Sequence, residues 1–271
     1  LKKLLYVVFF FVFIVIFLYV NNHWLVVSKH VFESEKVPAG FDGLRITQIT
    51  DLQDALFGEQ QEKLIAKVKT TNPDLIFITG DLIDSNRYDL ERSLQAVRGL
   101  VGLADVYYVL GNHEVATNKV REIYEVLSSL GVHVLANEST FIERDGERLA
   151  IIGIEDPLMG RTTEDMLEMV GKHVQPDVLT ILLAHRPEVF KTYVNYGIDL
   201  VFAGHAHGGQ VRIPGIGGIF ARGQGLFPKY TAGVYEENST TMVVSRGLGN
   251  SSVPFRIFNL PEIVVMELKK K

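Results

Sequence analysis

The chain has 271 residues, 47% of them hydrophobic, with a formal net charge of −5 and no cysteine. That length holds one full core or two small ones. The negative balance argues against a general nucleic-acid-binding surface, and the lack of cysteine excludes disulfides and thiolate ligands, so any metal must be held by oxygen and imidazole nitrogen.

Lys2 and Lys3 precede an unbroken apolar run over residues 4–20. As a helix it is about 25 Å long, slightly short of a ~30 Å hydrocarbon core. Snorkelling lysines offset the deficit. A cleaved signal peptide would have a shorter apolar region and a small-x-small site, whereas this run ends in Asn21, Asn22, His23 and Trp24. Residues 1–21 therefore read as an uncleaved, single-pass transmembrane anchor. Lysines before the run place the N-terminus in the cytoplasm and the rest of the chain outside the cell membrane. Residues 22–43 read as a connecting segment, with an early strand over 24–33 and a Pro/Gly turn region over 37–43.

A single domain is expected over residues 44–271. Strands over 44–50, 75–79 and 106–110 alternate with helices over 59–70, 90–100 and 119–130, which implies parallel pairing. Asn72-Pro73 stops the first of these helices and Gly131 the third. Residues 140–144 and 148–154 flank Asp145-Gly146 as a hairpin. A helix over 164–170, a strand over 179–184, a short helix over 187–196 and a strand over 200–203 follow. From Val211 the pattern is short strands and glycine-rich loops. The dense glycines between Gly208 and Gly225 either cradle a phosphate or serve long surface loops. A βα half followed by a β-rich half predicts two packed sheets with helices outside.

Polar residues stand just after the strand-like runs: Asp51, Asp81, Asn112 with His113 and Glu114, His185, and His205 with His207. In an open α/β sheet the carboxyl ends of the strands share one crevice. Five strand ends then deliver carboxylates, imidazoles and an amide to one place, the inventory of a two-metal hydrolytic site. Singly each residue has a plainer reading. Asp51 and Asp81 could serve turns or caps, and His185 could be an ordinary buried histidine; together they favour a metal site.

The series Asp51, Gly80-Asp81, Gly111-Asn112-His113-Glu114, His185 and Gly204-His205-Ala206-His207 resembles the calcineurin-like metallophosphoesterases, whose pattern is D-x-H, GD, GNH[DE], H and GHxH. Gly208-Gly209-Gln210, followed by residues 225–230, resembles the YkuE/YaeI-like branch of membrane-associated or exported bacterial phosphodiesterases. The resemblance implies a four-layer αββα sandwich of two mixed β-sheets flanked by helices, here preceded by the transmembrane helix. It implies two divalent metal ions, with Mn, Fe or Zn the expected identities. One would be held by Asp51, Asp81 and His207, the other by Asp81, Asn112, His185 and His205, with Asp81 shared. A metal-bridging hydroxide would attack phosphorus in line. His113 would face the substrate and stabilise or protonate it, with Asp84 orienting the ring and raising its pKa; the plainer reading of Asp84 is an N-cap. Glu114 reads as a helix-start acid or a group supporting the ligands from behind.

One position departs. The family's D-x-H calls for histidine where this chain has Gln53. An amide oxygen can ligate, more weakly than imidazole, so the first metal site is expected to be looser. The function implied is a membrane-anchored phosphodiesterase acting on a lipid-linked or cell-envelope phosphoester. The alternatives are a pyrophosphatase of a nucleotide-sugar or lipid-linked diphosphate, or a weakened binding protein. Arg186, Arg212, Arg222, Lys229 and Arg246 are candidate phosphate-binding groups. His23, His30, His133 and His173 read as surface or packing residues.

Overall fold

The computed structural model describes residues 2–171, 175–250 and 253–271; His173 lies outside them. Helix α1 (Lys2–His23) is apolar on all sides, and only 6% of its most apolar stretch is buried against the chain. By length and composition it can cross a membrane, and its exposure distinguishes it from a core helix of a soluble fold.

Beside two small antiparallel ribbons, β10 (Arg212–Ile213) with β11 (Gly217–Gly218) and β12 (Phe220–Ala221) with β13 (Gly225–Leu226), the strands form two six-stranded mixed sheets. In the first, β1 (Val26–Ser34) pairs in parallel with the last strand, β16 (Glu262–Lys270). β16 runs antiparallel to β2 (Arg45–Ile49), and β2, β3 (Leu75–Thr79), β4 (Asp105–Val109) and β5 (His133–Val134) follow in parallel. The second has the order β14 (Gly233–Glu237), β15 (Thr240–Val244), β9 (Leu200–Ala203), β8 (Thr180–Leu183), β7 (Glu147–Gly153), β6 (Glu138–Arg144), antiparallel only at its two outer pairs. The hairpin over Asp145-Gly146 is β6–β7.

Strand periodicity explains the layers. In β3, Phe77 points between the sheets while Ile76 and Ile78 point to the outer face. Both faces of these strands are buried, so they read as continuous apolar runs. Between the sheets Phe77 meets Phe202 edge-on at 5.1 Å. Outside the first sheet lie α2 (Glu62–Lys69), α3 (Leu90–Leu100) and α5 (Val120–Ser129), which supply Leu64, Val97 and Ile123. Outside the second lie α6 (Thr163–Gly171) and α7 (Phe190–Asn195), which supply Met166 and Tyr193. The result is the αββα sandwich.

Two elements differ from expectation. The helix expected from residue 59 begins at Glu62, after a 3-10 turn over Glu59–Gln61. Gln60 and Gln61 sit in the left-handed region at φ 49° and 65°. The Gln61 side chain accepts from Phe57 N at 3.1 Å and donates to Ala55 O at 2.7 Å. That local bridge competes successfully with helix continuation. Second, a short helix α4 (Asn112–Ala116) starts directly on Asn112.

Replacing Phe202, which is fully buried between the sheets, with alanine removes the aromatic contact and opens a cavity. Phe202→Ala should destabilise the domain by about 3–5 kcal/mol, read as a lowered urea midpoint with an unchanged slope in detergent-solubilised protein.

Candidate metal centre

Asp51, Asp81 and Asn112 follow β2, β3 and β4, while His185 and His205 follow β8 and β9. These parallel strands end at one edge of the sandwich, so their loops converge. The turns there are tight. Asp51, Gln53, Asp81, His205 and His207 all have φ between 46° and 65°, the left-handed region that non-glycine residues rarely adopt. Such conformations persist only where the surroundings fix them, and they gather at functional sites. Gly111 is required by close approach: a Cβ there would collide with the Asp81 carboxylate and backbone.

Two groups of ligand atoms result, Asp81 with His185 and His205, and Asp51 with Asp81 and His207. Within each, the atoms lie within 4.8 Å of one another, and Asp81 belongs to both. His185 Nε2 is 3.4 Å from Asp81 Oδ2, and His207 Nε2 is 3.3 Å from Asp51 Oδ1. His185 Nδ1 faces Thr79 O at 2.8 Å, which places a proton there and turns Nε2 toward the centre. Asn112 Oδ1 is buried in the same pocket with no hydrogen-bond partner among the described residues. Buried carboxylates, imidazoles and an unpartnered amide oxygen suit divalent cations.

The protein's own charges point the same way. Burial pushes the Asp51 carboxyl up to about 7. Burial opposes ionisation of Asp81 too, but His185, His113 and His205 hold it well below the usual carboxylate range. Burial would lower His185, yet Asp81 raises it to about 10. Burial, with Arg256 beside it, lowers His207 to about 3 and keeps that ring neutral.

Gln53 lies in the centre, but its nitrogen faces inward. Nε2 is 3.2 Å from both Asp81 Oδ2 and His207 Nε2, while Oε1 is buried without a partner among the described residues. An amide nitrogen cannot ligate; a half-turn of the amide exchanges the two atoms. His113 stands beside the centre, Nε2 4.0 Å from Asp81 Oδ2. Its Nδ1 accepts from Ser85 N at 3.0 Å, with Asp84 Oδ1 at 3.5 Å. A nitrogen that accepts this bond carries no proton, so the ring holds its proton on Nε2. Asp84 thus stands beside the ring, as sequence reasoning expected, and Ser85 N makes the closer bond to it. The Asp84 carboxylate is bound by Arg87 Nε at 2.6 Å and Asn86 N at 2.9 Å and fixes the turn that carries Ser85.

Sequence reasoning left four supports unassigned or underspecified. Glu114 is fully buried and accepts from Asp81 N, Leu82 N, Ile83 N and Gly111 N at 2.6–3.3 Å. Burial and Asp81 push its carboxyl up to about 7 despite these donors. Its place three residues after Gly111 is a capping-box signal that sequence can show. Asp54 accepts from Asp84 N and Ser93 Oγ. Asn259 donates to His207 O at 2.7 Å. Asp156 grips Arg186 through two bonds, and Arg186 Nη1 lies 2.9 Å from His205 Nε2. Arg186 therefore braces His205. Arg222 lines the pocket, while Arg212 donates to Gly208 O and Arg246 pairs with Glu262.

Residues 44–209 match the family model described as calcineurin-like phosphoesterase. An uncharacterised metallophosphoesterase of Bacillus subtilis, YkuE, is 31% identical over 93% of this chain and 88% of its own length. A bovine transmembrane protein with a metallophosphoesterase domain is 28% identical over 86% of this chain and 55% of its own. Among solved structures, TT1561 of Thermus thermophilus shares the fold at a TM-score of 0.52 and 14% identity, over 76% of this chain and 90% of that one.

If the assembled side chains take up a cation, Mn²⁺ should raise the melting temperature of the wild type progressively with log concentration, through a stabilisation of about 2.7 kcal/mol at a hundred times its Kd. Asp81→Asn should abolish the shift, as measured by differential scanning fluorimetry in detergent.

Proposed function

The chain belongs to the calcineurin-like phosphoesterase family, and we propose that it is a membrane-anchored, metal-dependent phosphodiesterase whose catalytic domain lies outside the cytoplasmic membrane. The observation that carries the reading is the pair of ligand groups sharing Asp81, beside a pocket lined by Asp81, Asn112, His113, His205 and His207. Family members use a dinuclear metal site. On this reading Asp51, Asp81 and His207 hold one ion, and Asp81, Asn112, His185 and His205 the other, with Mn, Fe or Zn as the ions. When bound, such a pair makes water acidic enough to attack phosphorus at neutral pH and screens charge on the phosphoryl oxygens.

The chain's own residues do the rest. Glu114 fixes the backbone of Asp81 and Gly111, so the shared carboxylate enters the reaction already placed. His113 holds a proton on Nε2, on the pocket side, where it can be given to a phosphoryl or departing oxygen. Arg222 adds a cation to the pocket wall. The anchor is α1. A relative named as a transmembrane protein supports the anchor, and the lysines at its start support a cytoplasmic N-terminus and an external domain. The diester preference rests on the branch resemblance.

Gln53 supports a second reading, a site with weakened metal binding. Gln53→His restores the family's ligand and should raise Zn²⁺ or Mn²⁺ affinity, measured by competition with a chelating dye; equal affinity would show that position 53 does not ligate. For the main reading, the wild type should hydrolyse an aryl phosphodiester with added Mn²⁺. Asp81→Ala should be inactive, and His113→Ala should lose about 10²–10⁴-fold in kcat. Equal rates in all three would remove the mechanism.

A further inference from the structure

Helix α1 does not merely tether the domain; its last turns are built into the loop beside the centre. Asn21 Oδ1 accepts from Asn259 N at 3.4 Å, and Asn22 Oδ1 accepts from Asn250 Nδ2 at 2.7 Å and Arg256 N at 3.1 Å. Asn259 in turn donates its side-chain amide to His207 O at 2.7 Å. One residue therefore links the end of the helix to the backbone of a proposed metal ligand.

The same contacts fix a depth. Phe258 packs edge-on against Phe17 with ring centroids 5.2 Å apart. Phe17 lies three residues inside the end of the apolar run, about 4.5 Å along the helix axis. Where α1 crosses a bilayer, Phe258 lies at the margin of the hydrocarbon. Phe255 shares a groove with Leu18, Tyr19 and Leu56 at the same level. Trp24, just past the helix, is 63% exposed, as suits a headgroup-level aromatic. Lys63 and Lys67 line a neighbouring groove with Tyr19 and Trp24, where amines meet anionic headgroups. Phe258 itself is 55% exposed and holds φ 51°. An aromatic residue in the left-handed region with its ring in water is costly twice over, and insertion into lipid removes one of the two costs.

The pocket adjoins the same loop: Val253 and Phe220 line it together with His207 and Gln210. Val211 and Arg212 are tied to the same loop, with Arg212 N donating to Ile257 O at 3.0 Å.

We propose that residues 253–258 seat in the leaflet nearest the domain, that the pocket opens at headgroup depth, and that the substrate is a phosphodiester carried by a membrane lipid. This rests on the phosphodiesterase reading and names its substrate class. In the reaction, water gives its oxygen to phosphorus, the bond from phosphorus to one ester oxygen breaks, and that oxygen leaves protonated as an alcohol, with a phosphomonoester as the other product.

The full chain, reconstituted in phosphatidylcholine vesicles containing phosphatidylglycerol and supplied with Mn²⁺, tests this in two ways. Because the chain lacks cysteine, F258C labelled with an environment-sensitive fluorophore reports one position. Its emission should shift to the blue and be quenched by lipids brominated near the headgroup; emission as in water, without quenching, would overturn the proposal. In parallel, the wild type and F255D/F258D are compared on a soluble aryl phosphodiester and on a phosphatidyl aryl diester in the vesicles; aspartate accepts the left-handed backbone at 258. The double variant should hydrolyse the lipid-borne diester about tenfold more slowly and the soluble one at the wild-type rate. An equal fall on both substrates, or no fall on either, overturns it. A wild type active only on the soluble diester also overturns it while leaving the phosphodiesterase reading in place. Inactivity on both substrates removes that reading and the lipid substrate with it.

Discussion

The Asp81 carboxylate is the constraint around which the other parts of the centre are arranged. It is 1% exposed and lies within reach of three imidazoles, His185, His113 and His205. An isolated buried carboxylate costs several kcal/mol, so its surroundings must answer it. They do so from two directions. The imidazoles face its oxygens. Behind it, Glu114 binds the backbone N–H groups of residues 81–83 and of Gly111. Two buried acids so close oppose each other's ionisation, which is the situation a divalent cation relieves. A centre of this kind couples ligand binding to folding, because its charges are costly without a counter-ion and favourable with one.

The sandwich supplies the geometry for that arrangement. Parallel strands from two sheets end at one edge, and the aromatic contact between Phe77 and Phe202 sets the sheets face to face. Each ligand leaves its strand through a short turn, and several of these turns are left-handed. Strained turns stay in place because buried side chains over-determine them: Glu114 on the 81–83 turn, Asp54 on Asp84, Asp51 on His205 N. Strain and support are therefore found together, and the strained residues are the ones whose side chains converge.

This division explains what the sequence revealed. The converging residues were legible because each follows an apolar run long enough to read as a strand, and the ends of such strands share a crevice. Helix α3 was legible at both ends because its periodicity is regular and Asp89 caps it. The supports were harder to see. Asn259, Arg256 and Asp54 act through bonds to backbone groups far away in sequence, and such bonds leave no spacing pattern. The start of α2 was misplaced because Gln61 bonds the preceding loop, a choice propensity cannot register. Asp84 was expected beside His113 and stands 3.5 Å from its Nδ1, but the bond from Ser85 N to that nitrogen was not visible, since a carboxylate near a histidine is a stronger sequence signal than a backbone N–H. Gln53 was visible as a departure, but which amide atom faces the centre is a property of the surrounding bonds.

The C-terminal loop shows how a structural support also sets the placement of the centre. Arg256 is fully buried, and its guanidinium donates to Gly249 O and Arg246 O. Its charge favours the ionised form of Asp51, against the burial that disfavours it. Its backbone N–H is held by Asn22 of α1. The buried cation, the carboxylate it supports and the end of the apolar helix thus form one hydrogen-bonded and electrostatic chain. A helix attached only by a flexible linker would leave the domain free to tumble at any height above a membrane. Here the end of the helix is fastened to the loop beside the centre by the amides of Asn21 and Asn22 and by a ring contact. The orientation of the pocket relative to α1 is consequently a property of the folded domain.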